Sequence, residues 1–181
     1  MAEGGQPRVN LGFLGIVEHP QHGLIGGYLI LNSLGRPLEF HCSTPLRPNR
    51  AQQILFGPTL RPYLFGEQIG QTLVSKCSIV PALICTDHAD SLALRDFITI
   101  PMALVAANAN DPAGAISSGC LDLSNCIARV ARQHAGDEQQ IVGIAAGLGQ
   151  NFDFLEPFGR IREAIQEALA TWNVEPSARC A

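Results

Sequence analysis

The sequence predicts an α/β domain with a mixed five-stranded sheet that opens with an antiparallel three-stranded meander and carries helices on both faces. Residues 24–31 are almost wholly apolar, which is typical of a strand covered on both faces. Residues 37–43 alternate apolar and polar side chains, the pattern of a strand with one buried and one solvated face. The clearest helix follows Asp153, where apolar residues recur at helical spacing as far as Trp172.

The other elements are predicted from apolar runs and from the residues that break them. Residues 11–18 form the first strand of the meander, and Asn49 is placed to cap a short helix. Pro58 and Pro62 interrupt that helix because proline lacks an amide donor, and Pro101 favours an edge position for the last strand. The remaining predicted elements are helices at 50–56, 63–76, 121–134 and 137–148, strands at 80–85 and 98–105, and a surface loop at 106–119.

Length and composition indicate one globular domain. The chain has 181 residues, 46% apolar and 15% charged, which is enough to bury a sizeable core. We expect a tail at 1–10, a single domain at 11–175 and a C-terminal tail at 176–181. No apolar run approaches the roughly 20 residues that span a bilayer, and the first residues lack the order of a secretory signal. Six cysteines without close spacing favour free thiols, so a cytoplasmic location is expected.

Three arginines form the candidate binding surface. Arg36, Arg47 and Arg50 flank the third predicted strand and open the first helix, whose N-terminus adds its own positive end. An anion or an acidic segment of a partner is the ligand that such a surface would take. The alternative is a solvated arginine cluster without a ligand, since a net charge of −4 gives little support to an extended nucleic-acid footprint.

The order of elements resembles that of the ribonuclease H-like superfamily over about the first 105 residues. The segments Leu14-Gly-Ile-Val-Glu-His, Gly27-Tyr-Leu-Ile-Leu and Arg36-Pro-Leu-Glu-Phe-His-Cys-Ser resemble the opening meander of Holliday-junction resolvases. The chain departs from that pattern in having Glu18 where the superfamily usually has aspartate, with no Asp-x-Gly after it.

This resemblance implies a divalent-metal nuclease. In the superfamily, carboxylates on strand one, on the first helix and at the end of strand four hold two divalent ions, which stabilise the attacking and leaving oxygens of an in-line displacement. By position, the matching residues are Glu18, Glu67 and Asp87, with Asp90 as a fourth candidate. Magnesium or manganese would be the cofactor.

Two further resemblances compete with the first. The apolar strand, Asn-Ser-Leu-Gly turn and alternating strand are similar to roadblock, longin and profilin-like modules, which bind partners without catalytic residues. That relationship would pair residues 80–85 with residues 98–105 in antiparallel fashion. The signatures Gly26-Gly-Tyr-Leu-x-Leu-Asn and Gly35-Arg-Pro-Leu-Glu-Phe-His-Cys also resemble an uncharacterised bacterial family of short α/β proteins, which implies no chemistry.

A histidine cluster is a separate candidate for metal binding. His19 and His22 share one turn with Glu18, and His88 follows Asp87 at the end of the fourth strand. If the first and fourth strands are neighbours, these nitrogen and oxygen ligands surround one point and suit zinc or manganese. Solvated turn histidines are the simpler interpretation.

The sequence therefore favours a non-catalytic binding or scaffold module whose partner, most simply a protein, meets the edge formed by Arg36, Arg47 and Arg50. The divalent-metal nuclease is the alternative, and nucleic acid is expected as a partner only in that case. No membrane association is expected, and the sequence selects no oligomeric state. The nuclease and metal hypotheses both require residues 14–18 to lie parallel to residues 80–85.

Overall fold

The computed structural model describes residues 9–107, 120–123, 125–149 and 151–172. Across these residues, one mixed sheet has seven strands in the order β3-β2-β1-β4-β5-β7-β6, with helices on both faces. The predicted α/β class is confirmed, with two strands more than expected. The strands are β1 (Asn10–His19), β2 (Gly23–Asn32), β3 (Pro37–Cys42), β4 (Leu83–Thr86), β5 (Met102–Ala106), β6 (Leu121–Leu123) and β7 (Cys126–Arg129).

The strand pairing that the nuclease alternative requires is present. β1 runs antiparallel to β2, and β2 runs antiparallel to β3, so the meander forms as predicted. β1 is also parallel to β4, with Leu11 opposite Leu83 and Leu14 opposite Thr86. β4 and β5 are parallel as well. The antiparallel pairing expected of a roadblock, longin or profilin-like module is therefore wrong.

Helical structure occupies most of the chain between β3 and β4. Asn49 caps α1 with a reciprocal capping box, in which its side chain accepts from the Gln52 amide at 2.8 Å. Proline interrupts the regular hydrogen bonding after α1, and the chain continues as 3-10, α and then wider π turns. The helical segments here are α1 (Arg50–Phe56), a 3-10 turn (Gly57–Thr59), α2 (Leu60–Pro62), the π segment (Tyr63–Gln71) and α3 (Thr72–Lys76).

The remaining helices follow the parallel strands and the last hairpin. Asp153 caps the last helix, since its Oδ1 accepts from the Leu155 and Glu156 amides at 2.8 and 3.1 Å. Glu156 then pairs with Arg160 one turn on. The helical segments are 3-10 turns at Ala89–Asp96 and Arg132–His134, then α4 (Asp137–Ala146) and α5 (Glu156–Trp172).

Strand alternation divides the apolar residues between two cores. Phe13 faces α5, with its ring 5.7 Å from that of Phe158, whereas Leu14 faces the π segment. Glycines in the middle of β2 let both layers approach closely. A Cβ on Gly27 would lie 2.5 Å from Ile161 Cγ2 of α5, and one on Gly26 would collide with Ile69 of the π segment. The sheet is therefore enclosed between two close helix layers.

The chain after β5 differs from prediction. Residues 121–134 were expected to form a helix, but they form the β6–β7 hairpin. Burial alternates along this segment: Cys126, Ala128 and Val130 are buried, whereas Ile127 and Arg129 are half-buried. Alternation at every second residue is the pattern of a strand, not of a helix. β7 pairs with the outer side of β5, so β5 is not the exposed edge strand that was predicted.

The structure does not test the predicted tails or most of the predicted surface loop. The predicted tails at 1–10 and 176–181 and most of the predicted loop at 106–119 fall outside the described residues, although Asn10 already begins β1. The domain boundaries therefore remain predictions. Within the part of the chain that the structure describes, no helix has the length and apolar character needed to span a bilayer.

Candidate functional site

The parallel strands β1 and β4 end at the same edge of the sheet. Leu14 lies opposite Thr86, Asp87 follows Thr86 directly, and Asp90 opens the next 3-10 turn. β1 is longer and carries Glu18 four residues, or about 13 Å at roughly 3.3 Å per residue, past the end of β4. Glu18, Asp87 and Asp90 are called the carboxylate rim below.

Arg61 joins two members of the rim. Its Nη2 donates to Glu18 Oε1 and its Nε donates to Asp90 Oδ2, both at 2.8 Å. The guanidinium also lies over the Phe65 ring, 4.7 Å from its centroid. The hydrogen bond from Arg61 holds the pKa of Glu18 below its usual value. Because the Arg61 and Glu18 side chains are about half exposed, at 50% and 51%, these ion pairs are solvated and exchangeable.

Asp87 is held from the opposite helix layer. Arg162 of α5 donates from Nη1 to Asp87 Oδ2 at 2.8 Å. The other oxygen, Oδ1, is buried and accepts no hydrogen bond from the described residues. His88 Nε2 lies 3.9 Å from Oδ1 but donates its proton to the Ile16 carbonyl, 3.0 Å distant. One acceptor of the rim is therefore unsatisfied.

Glu67 lies apart from the carboxylate rim, on the π segment. It is half-buried on the π segment and makes no hydrogen bond or ion pair with the rest of the described chain. Among the described residues, no three of the predicted carboxylates bring ligand atoms within 4.8 Å of one another. The structure thus places Glu18, Asp87 and Asp90 along one edge, with a guanidinium on each side, and Glu67 on a neighbouring helix.

The three predicted metal-binding histidines have separate contacts. His19 Nδ1 accepts from the Gln21 and His22 amides at 3.2 Å, which closes the turn between β1 and β2. The His19 and His22 rings lie 4.7 Å apart by centroid. His88 instead bonds to β1 and meets the edge of Phe65 at 5.5 Å. These histidines do not gather as three ligands of one ion within the described chain.

A cavity of about 420 Å³ opens beside Glu18 and Arg61. Its volume lies in the range of small-molecule sites. The isolated bridge between Leu24 and Leu46 forms part of its wall, and Gly23 allows that approach with a φ of 88°. This rim cavity is lined by Glu18, His19, Pro20, Gly23, Leu24, Leu46, Pro48, Leu60, Arg61, Leu64 and Phe65. Its walls are mostly apolar, and Glu18 and Arg61 are its charged lining residues.

The predicted arginine surface is divided between two ends of the sheet. Arg36 belongs to the β2–β3 turn, where its carbonyl accepts from the Asn32 amide. Arg47 follows Leu46, which bridges to the other end of β2 at Leu24. Eight residues of strand separate these ends, roughly 25 Å. Arg36, Arg47 and Arg50 are all exposed, but only the last two lie at the end of the sheet that carries the rim cavity.

The sequence placed neither Arg61 nor Arg162 beside the carboxylates, although Arg61 is one of the arginines that could form an anion-binding patch. Arg61 precedes a proline and Arg162 lies among the polar positions of α5, so neither carries a motif. Their contacts with the carboxylates follow only from the tertiary structure.

Three solved structures that this chain matches are of endonuclease V. The fold resembles that of endonuclease V. The chain matches endonuclease V from Ciona intestinalis, in complex with a 23mer DNA containing an inosine followed by a ribo-adenosine, with 9% identity and a TM-score of 0.52, over 92% of this chain and 88% of that one. The catalytic domain of human endonuclease V matches with 13% identity and a TM-score of 0.51, over 93% and 89% of the two chains. A further human endonuclease V structure matches with 12% identity and a TM-score of 0.51, over 93% and 91%.

Sequence comparison adds no relative. No family model matches this chain, and no curated protein matches it. The preference for a non-catalytic binding or scaffold module is overturned by the structural likeness, since these three structures are of nucleases. A loose ribonuclease H-like resemblance is compatible with that likeness, and the nuclease alternative is the better supported of the two hypotheses.

Proposed function

We propose that the protein is a divalent-metal-dependent nuclease of ribonuclease H-like design that acts on the phosphodiester backbone of a nucleic acid. The observation that carries the proposal is the carboxylate rim at the ends of the adjacent parallel strands β1 and β4, in a fold shared with endonuclease V. A nucleic-acid partner is supported by the DNA bound to one matched structure. A protein partner has no comparable support. We also propose that this protein acts in the cytoplasm.

The chemistry of the donors fits a hard divalent cation. Asp87 Oδ1 is buried and unpartnered, and carboxylate oxygens are the ligands that magnesium and manganese prefer. Asp87 would hold the ion, with Glu18 and Asp90 contributing once they leave Arg61. The ion would neutralise developing charge on the oxygens of the reacting phosphate. Of the four carboxylates, Glu67 would contribute least to holding the ion, because it lies on the π segment and has no hydrogen bond to the rim.

Arg61 supplies the nucleic-acid contact in this proposal. Its ion pairs with Glu18 and Asp90 are solvated, so each stabilises the fold by at most about 1 kcal/mol. A phosphate offers the same guanidinium a bidentate, charge-assisted contact. Transfer of Arg61 to a phosphate would release both carboxylates at the moment the substrate arrives. Arg47 and Arg50 lie at the same end of the sheet and would add backbone contacts.

The rim cavity would receive a group adjoining the scissile phosphate. Its apolar wall, formed by leucines and Phe65, offers stacking and burial rather than hydrogen bonds. A single unstacked nucleobase has the size and flatness that this volume accommodates. Inosine-containing DNA is therefore included among the substrates to be tested.

The test is cleavage of labelled oligonucleotides by the purified chain in manganese, in magnesium and in excess chelator. The panel comprises single-stranded DNA, branched DNA and duplex DNA containing an inosine followed by a ribo-adenosine. We expect cleavage of at least one substrate with metal and none in chelator. Glu18→Gln should slow cleavage, whereas Asp122→Asn, an exposed aspartate on β6, should leave it unchanged. Absence of metal-dependent cleavage across the panel would refute the proposal.

A further inference from the structure

A second group of potential metal ligands lies on the outer strand of the sheet. Glu39 and His41 are two residues apart on β3, so both project from the same face. Cys77 follows the last turn of α3, which packs over that face. One ligand atom from each of the three lies within 4.8 Å of the others. Glu39, His41 and Cys77 are called the β3 cluster.

The β3 cluster is held in place by several hydrogen bonds. The Glu39 carboxylate accepts from the Ser78 amide at 3.0 and 3.1 Å, from the Ile79 amide at 3.1 Å and from the Ser78 hydroxyl at 3.2 Å. His41 Nε2 lies 2.9 Å from Glu39 Oε1. The bonds from Ser78 and Ile79 hold the segment that follows α3 against β3. The positions of the carboxylate and the imidazole are thus set before any ligand arrives.

Cys77 completes the cluster from the helix side. Its amide donates to the Val74 carbonyl at 3.2 Å, and its Sγ lies 3.6 Å from the Leu73 carbonyl. That contact orients the sulfur at the end of α3. All three side chains are partly exposed, so an ion has a path from solvent.

We propose that the β3 cluster is a zinc-binding site that uses Glu39, His41 and Cys77 as its three protein ligands. Thiolate, imidazole and carboxylate are the three ligand types that zinc takes in proteins, and thiolate disfavours magnesium and calcium. Three protein ligands leave the fourth tetrahedral position for water. A zinc ion held by the three side chains would link Cys77, at the end of α3, to Glu39 and His41 on β3.

The site is independent of the carboxylate rim. β2 separates β3 from β1, and the two groups share no residue. Bound zinc would cross-link an outer strand to the helix layer, which is a stabilising role rather than a catalytic one. The inference does not rest on the proposed nuclease activity, and the two can fail separately.

The experiment is titration of the metal-free full-length chain with cobalt, followed by displacement with zinc. Cobalt bound to a thiolate in tetrahedral geometry gives an intense charge-transfer band and visible d–d bands. We expect these bands to saturate at about one equivalent per chain and to disappear when zinc is added. Thermal unfolding should shift to higher temperature with zinc but not with magnesium.

Substitution of Cys77 and of His41 tests whether each is a zinc ligand. Cys77→Ser should abolish the charge-transfer band, and His41→Gln should weaken zinc binding by about tenfold or more. Cys42→Ser is the matched control, because Cys42 is the next residue on β3 and its side chain faces the other core. A second variant, Cys77→Ala, tests the thiolate without a hydroxyl, and far-ultraviolet circular dichroism confirms that each variant is folded. Absence of the band in the native chain, or its retention in both Cys77 variants, would overturn the proposal.

Discussion

Arg61 and Arg162 approach the carboxylate rim from opposite helix layers. Arg61 lies on α2 and bonds to Glu18 and Asp90, whereas Arg162 lies on α5 and bonds to Asp87. Each guanidinium compensates negative charge where a metal-dependent nuclease would place a cation. Two guanidinium charges therefore offset part of the charge of three carboxylates, and cation binding must compete with these two side chains.

Replacement of Arg61 by glutamine should make the rim a better cation site. We expect Arg61→Gln to increase manganese affinity at least about tenfold, because one positive charge leaves the immediate neighbourhood of the carboxylates. The free energy of unfolding should change by less than about 1 kcal/mol, since both ion pairs are solvated. Isothermal titration calorimetry and urea unfolding measure the two quantities. Arg50→Gln, at an exposed arginine on α1, is the control, and equal manganese affinity in the two variants would contradict the account.

Glu39 should make stability sensitive to acid. Hydrogen bonds from His41, Ser78 and Ile79 lower the pKa of Glu39 from 4.5 to about 2. Its native bonds therefore contribute in full above pH 4.5, and that contribution is lost as the pH falls from 4.5 to about 2. Urea unfolding at about pH 6 and about pH 3 should show a larger loss of stability for the native chain than for Glu39→Gln. Equal losses in the two proteins would remove Glu39 as a cause of acid sensitivity.

At the scale of elements, glycine positions in β2 control how closely the helices pack. A Cβ on Gly27 would meet Ile161 at 2.5 Å and Ile165 at 3.1 Å, both on α5. We expect Gly27→Ala to lower the free energy of unfolding by about 1–3 kcal/mol through overpacking. Gly143→Ala is the matched control, since a Cβ there meets nothing within 4 Å and alanine favours the α4 helix by up to about 1 kcal/mol. Chemical unfolding of both variants checks the prediction, and a neutral Gly27→Ala would contradict it.

Elements with strong local signals were predictable from the sequence. β1, β2 and β3 alternate or are continuously apolar, and Asn49 and Asp153 cap the helices that follow them, as their positions predicted. The β6–β7 hairpin was missed because Ile127 and Val130 also match helical spacing. Residues 126–129 form a strand rather than a helix because β7 pairs with β5, and that contact joins segments that are distant in sequence.

At the scale of the molecule, the candidate site was predictable only in outline. The parallel pairing of β1 and β4 follows from element order, and it brings Glu18 and Asp87 to one edge as expected. The distances along that edge depend on strand length and on side chains from α2 and α5, which no sequence pattern specified. The same holds for Cys77, which meets Glu39 only because α3 packs over β3. The adjacency of β1 and β4 could be inferred from the sequence, whereas the β7–β6 end of the sheet and the convergence of side chains could not.

In the proposed function, Asp87 holds the divalent cation that the protein uses to cleave nucleic acid. The most direct measurement is the initial rate of manganese-dependent oligonucleotide cleavage by the native chain and by Asp87→Asn, with both proteins shown to be equally folded. We expect Asp87→Asn to lower the rate by at least about 100-fold. Loss of a residue that only orients a metal ligand can lower activity by that much, and loss of the ligand itself should cost at least as much. Unchanged cleavage by Asp87→Asn would contradict the proposed function.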